Sequence, residues 1–552
     1  MKPALILTLA LISQSAFAQV SNELKQKLMI ELNFVANFYE NFYAPKAWKE
    51  RHLGWSLQNE LTKSQAQIMA AQSVYDYRQA VASLINSTAD YHVSYSFLST
   101  ESATLPFQVK TVENQTLIVN IDRSKLPFTV FSYSEGDELV AMDGKPVAEI
   151  RKDLIAAFGK NVPSTDEALA DLTLTRRRGS RNNLVPRGPV TLTFKKQGQK
   201  TENTYQLVWE YTPESIPGRI THPIADEPTK IKLASPMMQA VDVRPFSQAG
   251  NGFSVGVKES MLPNLGTILW EAPETSEFRA YIYKNAEGKL LGFVRIPNYT
   301  PDDASKAVKD FSDIIRKMEP ITEGLVIDQL NNPGGSVFYL YALASHFSSK
   351  SLTTPRHRMM LTPSGVKEAN SMLAQLSVIK NNDEAIKAFG ASLGGYPMSY
   401  QLVVNIREYC RFIIDQWKEG KKLTDPFYVW GVDQINPSLT LYTKPVVLLV
   451  NELDFSGGDF FPAILQDNKR VTVIGTRTAG AGGYVEAAQF PNHFGIETIS
   501  YTGSIAERLD TNPIENLGVT PDVKLPFTAD DLRGQFRNYL KEVNKTLMGL
   551  IK

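Results

Sequence analysis

The chain has 552 residues, and its 58 lysines and arginines balance 58 aspartates and glutamates. A neutral chain has no long-range field that would gather nucleic acid or an anionic membrane, so these are excluded as main partners. The single cysteine, Cys410, cannot form a disulfide within the chain, and the helical spacing of its apolar neighbours predicts a buried structural thiol. Stability must therefore come from hydrophobic cores, and this length predicts about two to four of them.

The first 18 residues have the layout of a secretory signal peptide. Lys2 precedes an apolar run from Ala4 to Ile12, and the small residues Ala16 and Ala18 form a cleavage site. The run is shorter than the ~18 apolar residues that a transmembrane helix needs, and no later segment reaches that length. The sequence therefore predicts a secreted or periplasmic protein with no membrane span.

Changes in hydrophobic periodicity divide the rest of the chain. Residues 19–100 have apolar positions at three- and four-residue spacing, which predicts a helical domain ending in the His92 segment. Short alternating stretches in residues 101–210 predict a β-rich domain. Residues 211–285 are rich in proline, glycine and polar side chains, which is typical of a connector or flap. Residues 286–552 form the largest unit.

Within the β-rich domain, the run SEGDELVAMDGKPVAEI predicts a strand, a turn at Asp143 and Gly144, and a helix. This run resembles a PDZ-type module, and such modules bind extended peptide ends by adding a strand to their sheet. An ordinary small β-domain is the alternative. The basic stretch from Arg176 to Arg181 is interpreted as a solvated loop between two strands.

Residues 286–552 alternate continuous apolar strands with amphipathic helices. That pattern predicts an α/β core with a mostly parallel sheet and helices on both faces, interrupted by a largely helical insertion at about residues 355–440. Two strands run directly into glycine-rich turns, at residues 331–335 and 451–458. Because sites in an open parallel sheet form at the carboxyl edge of its strands, both turns are candidates for a functional site.

Ser456 lies in the second turn, between the strand VVLLV and the helix GDFFPAILQDN. A serine at such a sharp connection can act as a nucleophile, and the free amides at the helix N-terminus can stabilise an oxyanion. The pattern GxSxG is absent. Serine is also a favoured helix N-cap, which is the alternative interpretation. Asp454 and Asp459 flank the serine and are predicted to cap the helix.

A nucleophilic serine needs a base, and the chain offers six histidines: His52, His92, His222, His346, His357 and His493. His92 differs from the others because it lies where the helical domain ends and a strand begins. Its ring can therefore be held rigidly and turned toward another domain. Spacing alone leaves the choice of base open. The sequence shows no HExxH motif, paired cysteines or clustered histidines, so we expect no metal and no cofactor.

Three blocks in order resemble the tail-specific, or C-terminal-processing, serine protease family: GLVIDQLNNPGG, PVVLLVNELDFSGGDFFPAILQDNKRVTVIGTRTAG and LGVTPDV. In that family a PDZ domain precedes the protease core, and the match runs from about Leu291 to Pro526. Most members pair the serine with a later lysine in a Gly-Lys-Gly setting, whereas the run from Thr478 to Gly483 has no lysine. The chain is more similar to the branch of the chlamydial protease-like activity factor, with tricorn protease as a more distant relative.

That branch is understood to use serine, histidine and glutamate, so the resemblance implies Ser456, His92 and Glu515 as the catalytic residues. Ser456 would attack the scissile carbonyl, His92 would move the proton, and Glu515 would orient the imidazole, directly or through water. A surface loop carboxylate is the alternative for Glu515.

The resemblance also implies an oxyanion hole made by the amide of Gly457 and one amide from Gly334 or Gly335. We therefore expect an exported serine endopeptidase that cleaves protein or peptide substrates, with activation by cutting its own connector, residues 211–285, as a further hypothesis. The main alternative is a catalytically inactive peptide-binding scaffold with a protease-like fold, and an esterase or lipase is the third interpretation. Pairing of subunits as a homodimer stays open.

Overall fold

The computed structural model describes residues 21–158, 161–215, 252–488, 492 and 495–551. The expected signal peptide, residues 216–251 of the expected connector, His222 and His493 lie outside the described residues. In the part of the chain that is described, no helix is both long enough and apolar enough to cross a membrane.

The N-terminal region is helical and ends in one short strand. Its elements are α1 (Asn22–Phe42), α2 (Lys46–Leu53), α3 (Leu57–Ala70), α4 (Val74–Asn86) and β1 (Ser94–Phe97). Serine side chains cap three of the helices, because Ser21, Ser56 and Ser73 each accept a hydrogen bond from a first-turn amide. The apolar faces of these helices form a separate core, which Ile499 from the C-terminal half completes.

The next region is β-rich. Its elements are β2 (Ser102–Thr104), β3 (Phe107–Val112), β4 (Gln115–Ile121), β5 (Glu138–Met142), β6 (Lys145–Pro146), α5 (Val147–Phe158), α6 (Pro163–Leu174), β7 (Arg176–Arg178), β8 (Pro189–Lys195), β9 (Glu202–Val208) and β10 (Glu210–Thr212). The main sheet has the strand order β3-β4-β5-β8-β9, with β6 paired to β5. The predicted strand, turn at Asp143 and Gly144, and helix are all present.

The basic stretch is a strand rather than the expected solvated loop. β7 pairs with β2 in a small sheet, with Arg177 opposite Ala103. The Arg176–Arg178 side chains are half-buried, and burial lowers the pKa of Arg176 and of Arg177 to about 10. Their aliphatic stems supply enough apolar surface to sit on a sheet, which a count of charges does not reveal.

The C-terminal half contains the largest sheet and most of the helices. Its elements are β11 (Thr267–Glu271), β12 (Ala280–Lys284), β13 (Leu290–Arg295), α7 (Ala304–Met318), β14 (Leu325–Asp328), α8 (Val337–Ala344), β15 (Leu352–Thr353), β16 (Arg356–Met359), α9 (Pro363–Ser377), α10 (Asn382–Phe389), β17 (Ser392–Leu393), β18 (Tyr396–Pro397), α11 (Tyr400–Lys418), β19 (Phe427–Tyr428), β20 (Gln434–Ile435), β21 (Val446–Val450), α12 (Gly457–Asp467), β22 (Thr472–Gly475), β23 (Val485–Ala488), β24 (Ile496–Thr502), β25 (Ser504–Glu507), β26 (Val523–Lys524), α13 (Ala529–Arg533) and α14 (Arg537–Leu550).

The central sheet has the order β11-β12-β13-β14-β21-β22-β26. Its first two pairings are antiparallel, and every pairing from β13 to β26 is parallel. Alternate residues of one strand face opposite cores: Leu448 packs in the core that contains α7, α8 and α12, and Leu449 packs in the core that contains α13 and α14. The expected fold class is therefore confirmed, with helices on both faces of a mostly parallel sheet.

The helical insertion contributes α9, α10 and α11 to the first of these cores. Cys410 lies on α11 and is buried, and burial raises the pKa of its thiol to about 12. A thiol held protonated in this way is a poor nucleophile, so the expectation of a structural cysteine is confirmed.

One pairing joins the two ends of the chain. β1 runs antiparallel to β24, with Ser94 opposite Ser500. β24 also pairs with β23, so the segment that follows His92 is an edge strand of a sheet contributed by the C-terminal half. This pairing fixes the N-terminal region against the region that contains the serine turn.

Candidate active site

Ser456 lies on a strained turn between β21 and α12. Its backbone has φ 53° and ψ −113°, a combination that a residue with a side chain rarely adopts. The Ser456 Oγ has no hydrogen-bond partner among the described residues, and the side chain does not cap α12. The N-cap interpretation is therefore wrong. A strained strand–turn–helix connection that leaves the hydroxyl free is the arrangement of a nucleophile elbow.

The first glycine-rich turn packs directly on the serine turn. A Cβ added to Gly334 would lie 2.5 Å from the Gly457 nitrogen and 2.7 Å from the Ser456 Cβ. The amide of Phe455 donates to the carbonyl of Asn332 at 2.8 Å. Only a residue without a side chain fits at position 334, which explains why a glycine stands there.

Two amides beside the serine make no hydrogen bond within the described part of the chain. The Gly334 amide donates to the side chain of Asn332 at 2.8 Å, so it is occupied. The amides of Gly335 and Gly457 make no hydrogen bond to a described residue, and the two residues are in contact, since a Cβ on Gly457 would lie 3.1 Å from the Gly335 nitrogen. Of the three predicted donors, Gly335 and Gly457 are available to an oxyanion and Gly334 is not.

His92 is buried in the turn between α4 and β1. Its amide donates to Asp90 at 2.9 Å, and the Asp90 carboxylate also accepts hydrogen bonds from Tyr43 and Thr502, each at 2.8 Å. Burial lowers the pKa of His92 to about 4, with Asp90 opposing the shift. The ring is therefore neutral near pH 7, as a general base must be.

The neighbours of His92 and Ser456 are in contact. The rings of Tyr91 and Phe455 meet edge to face, with centroids 5.4 Å apart. The hydroxyl of Ser500 donates to the His92 carbonyl at 2.7 Å. Neither ring nitrogen of His92 has a partner among the described residues, so the structure brings the histidine segment to the serine turn without a hydrogen bond between the two side chains. Such bonds often form only when substrate binds.

Glu515 is fully buried, so the surface interpretation is wrong. One carboxylate oxygen accepts from the amide of Gly482 at 3.0 Å, and the other accepts from Lys49 Nζ. Neither oxygen bonds to His92. Burial and, after it, the charge of Asp90 raise the pKa of Glu515 to about 8, with Lys49 and the Gly482 amide opposing the rise.

Asp454 and Asp459 connect loops, whereas the sequence predicted that they cap α12. Asp454 accepts from the amide of Asn332 at 2.8 Å and from the amide of Asn451 at 3.0 Å. Asp459 accepts from the amides of Gly480 at 2.8 Å and Ala481 at 2.9 Å. Asp459 lies in the first turn of α12 and also accepts from the Ser456 amide, as the capping prediction expected, and both carboxylates in addition fix the loops that surround the serine.

The other described histidines are engaged elsewhere. His346 bonds to the Ala342 carbonyl at 2.9 Å, and His357 bonds to the Ser504 hydroxyl at 3.0 Å. His52 is exposed and stacks on Trp48. Among the described residues, His92 is thus the buried histidine with both ring nitrogens free.

Sequence reasoning missed Lys49 and the role of Asp90. Lys49 lies on α2, is 0% exposed, and pairs with Glu515 across the chain. The stretch KAWKERHL is polar throughout, so one sequence contains no signal that this lysine is buried. Asp90 precedes His92 by two positions, and its bond to the His92 amide is the local Asx-turn that a short acidic side chain makes.

No metal centre is evident in the part of the chain that the structure describes, where no three His, Cys, Asp or Glu side chains come together as ligands.

A strained serine turn beside free amides, at the carboxyl edge of a parallel sheet, defines the class of serine hydrolases. Residues 290–525 match the family model for peptidase family S41, and residues 101–220 match that for the PDZ domain. The chain belongs to peptidase family S41 and is a serine protease.

Chlamydial proteins are similar to the whole chain. It is 34% identical over 572 residues to an uncharacterised protein of Chlamydia muridarum, covering 95% of this chain and 93% of that one. It is likewise 34% identical over 565 residues to a protein of Chlamydia trachomatis serovar D, covering 94% and 92%. The structure of mature CPAF complexed with lactacystin superposes with a TM-score of 0.84 at 34% identity, covering 96% of this chain and 99% of that one. The predicted branch is therefore confirmed.

Proposed function

We propose that this protein is an exported serine endopeptidase that cleaves protein or peptide substrates through Ser456, His92 and Glu515. The observation that carries the proposal is the Ser456 turn, with its free hydroxyl beside the free amides of Gly335 and Gly457. His92 is neutral and buried, and the Tyr91–Phe455 contact holds its segment beside that turn. Both observations support the role of His92 as the base.

In the proposed reaction the Ser456 Oγ attacks the scissile carbonyl carbon while its proton passes to His92, directly or through one water. The carbonyl oxygen becomes an oxyanion that accepts hydrogen bonds from Gly335 and Gly457. His92 returns the proton to the departing amine, and water then hydrolyses the acyl-enzyme in the same way. Glu515 stabilises the imidazolium through a water or after a small shift, since both of its oxygens have other partners at rest.

Substrate affinity is expected to come from extended backbone bound beside the Ser456 turn rather than at the β3 edge of the β-rich sheet. β3 is one of the two edge strands of that sheet, and β9 is the other. The outward amide of Thr111 already donates to Asp171 at 2.6 Å, and the Thr111 hydroxyl donates to the same carboxylate at 2.7 Å. A peptide adding to this edge must first displace Asp171, which weakens strand addition there.

The test of the proposal is covalent labelling. A fluorophosphonate should attach to Ser456 in the wild type and fail to attach to Ser456→Ala. Casein digestion should fall by a factor on the order of 10^4 or more in Ser456→Ala and in His92→Ala. Because lactacystin is bound in the similar CPAF structure, it should also block labelling here. Full casein digestion by folded Ser456→Ala would reject the assignment.

Export and self-cleavage are tested on the expressed protein. N-terminal sequencing of the extracytoplasmic fraction should begin at Gln19, after the small residues of the expected cleavage site. Mass spectrometry should find active enzyme cut within residues 211–285 and Ser456→Ala intact there. Fully active enzyme with an unbroken connector would remove the self-cleavage part and leave the protease assignment standing.

A further inference from the structure

Lys49 is a buried cation in the N-terminal helical region that bonds directly to the catalytic loop. It is 0% exposed, and its Nζ donates to the Ala89 carbonyl at 2.7 Å, to Asn516 Oδ1 at 2.8 Å and to Glu515. All three ammonium donors thus have acceptors. A buried ammonium is costly unless it is paired and fully hydrogen-bonded, so this site is specifically built around the charge.

The loop that Lys49 holds is the one that presents Glu515. Asn516 has φ 62°, its amide donates to the Gly480 carbonyl at 2.9 Å, and its side chain donates to Ala89 at 2.8 Å. Trp48, the neighbour of Lys49, donates to Asn516 Oδ1 at 3.0 Å. Side chains of helix α2 therefore hold the turn that contains Glu515 by hydrogen bonds.

We propose that Lys49 is a positioning residue of the protease, which favours the ionised form of Glu515 and holds its carboxyl group in place, and so makes the N-terminal helical region a working part of the catalytic apparatus. The inference rests on the proposed role of Glu515. It differs from the serine–lysine pairing of most relatives, because Lys49 bonds to the carboxylate and not to Ser456.

The electrostatic surroundings explain why a cation is needed there. The titratable groups that act on Glu515 are Lys49 from α2, Tyr43 after α1, and Asp90 from the turn after α4, which also carries His92. Asp90 and burial both raise the pKa of Glu515, and Lys49 is the group that lowers it. Without Lys49 the carboxyl would hold its proton to higher pH, and a neutral carboxyl cannot stabilise the imidazolium of His92.

The test is the pH profile of kcat/KM on labelled casein, together with the rate of Ser456 labelling by a fluorophosphonate, from pH 6 to 10. Lys49→Gln keeps a hydrogen-bond donor but removes the charge. We expect the pH at which kcat/KM of this variant rises to half of its maximum to increase by at least one unit. At pH 7 its kcat/KM should therefore fall about tenfold or more. Lys49→Arg keeps the charge and should keep the wild-type pH dependence of kcat/KM, with a lower kcat.

The matched control is Lys444→Gln. The Lys444 ammonium is half-buried and donates to the carbonyls of Glu319 and Thr322, before the start of β21 and far from its carboxyl end. This variant should lose stability and keep the wild-type pH profile. If Lys49→Gln shows the same pattern, with a lower melting temperature but an unchanged pH dependence of kcat/KM, Lys49 has only a structural role. That result would overturn the inference.

Two further variants keep the result decisive. If Lys49→Gln is not recovered folded, Asn516→Asp is the substitute, because it retains the lysine but adds a competing carboxylate beside its Nζ. The same upward shift in the pH dependence of kcat/KM is expected. An unchanged pH dependence would again reject the inference. Glu515→Gln separates the two proposals. Full activity in Glu515→Gln would reject the proposed catalytic triad itself. If Glu515→Gln is inactive but the pH profile of Lys49→Gln is unchanged, only the role of Lys49 is rejected.

Discussion

Tyr91 stands edge-on against Phe455, with ring centroids 5.4 Å apart and ring planes at 78°. Each ring belongs to the residue directly before a catalytic candidate, His92 in one case and Ser456 in the other. The hydroxyl of Tyr91 is anchored on Asp166 at 2.8 Å. This aromatic contact thus joins the His92 segment of the N-terminal region to the Ser456 turn of the C-terminal sheet.

Replacing Tyr91 should misplace His92, the proposed base, without removing it. In Tyr91→Leu the ring contact is lost, and kcat/KM on casein should fall about 10- to 100-fold, because small displacements of catalytic groups are costly. Tyr91→Phe is the matched control, since it keeps the ring and loses only the hydroxyl bonds, and its loss should be smaller than fivefold or so. Equal activity in Tyr91→Leu and the wild type would show that the contact does not position His92.

His357 should give a pH-dependent contribution to stability. Burial lowers the pKa of His357 to about 3, whereas in the unfolded chain the side chain titrates near the ordinary histidine pKa of about 6.5. Between these values the unfolded state binds the proton and the folded state does not, so the stability from a neutral His357 is present above about pH 6.5 and is lost as the pH falls.

His357→Phe removes this titration and keeps a ring to stack on Phe460. As the pH falls from 7.5 to 4.5, the free energy of unfolding of the variant should rise by about 2–3 kcal/mol relative to that of the wild type, as measured by urea unfolding. At pH 7.5 it should be the less stable protein, since it lacks the bond to Ser504. The exposed His52 is the control: burial and the charge of Lys49 lower its pKa without the large shift of His357, so His52→Gln should show a much weaker pH dependence of stability.

The architecture was more predictable from sequence than the chemistry. Continuous apolar runs such as VVLLV predicted buried parallel strands, and the α/β core, the helical N-terminal region and the helical insertion all follow from periodicity. The Ser456 turn was placed correctly because a strand, a glycine-rich turn and a helix are adjacent in sequence. Local patterns report local structure well.

The parts that failed depend on contacts between distant segments. Lys49 and Glu515 are 466 positions apart, and nothing in either segment indicates that its charge is buried. Arg177 looked solvated because charge is visible in a sequence and the packing of its stem is not. The proposal of His92 as the base came from a family resemblance, since spacing alone left the choice among the histidines open.

Asp459 should matter because it holds the loop that reaches Glu515. Its carboxylate binds the Gly480 and Ala481 amides, and the next amide, that of Gly482, donates to Glu515. Asp459→Asn loses one acceptor and should cost about 1–3 kcal/mol of stability and roughly 10-fold in kcat/KM.

The matched control on the same helix is Asp467→Asn. Asp467 pairs with Arg508 at the far end of α12, so this variant should lose at most about 1–2 kcal/mol and keep full activity. Urea unfolding and casein hydrolysis check both variants. Activity losses that simply follow stability in the two proteins would argue against a specific role for Asp459.

Gly334 offers the sharpest test of the oxyanion hole. Its φ is 90°, and an added Cβ would lie 2.5 Å from the Gly457 nitrogen, so Gly334→Ala must displace the serine turn or the first glycine-rich turn. Since both turns supply a free amide, the expected loss is about 100- to 1,000-fold in kcat. Substrate binding away from the carbonyl should change little, so KM should stay near the wild-type value.

Gly144 provides the matched control for backbone strain. It also has a positive φ, 75°, but a Cβ there meets no atom within 4 Å. Gly144→Ala should therefore cost roughly 1 kcal/mol of stability through strain alone and leave kcat unchanged. If Gly334→Ala loses no more activity than Gly144→Ala while both remain folded, the contact between the two turns does not shape the oxyanion site, and the amide of Gly335 must be removed from the proposed mechanism.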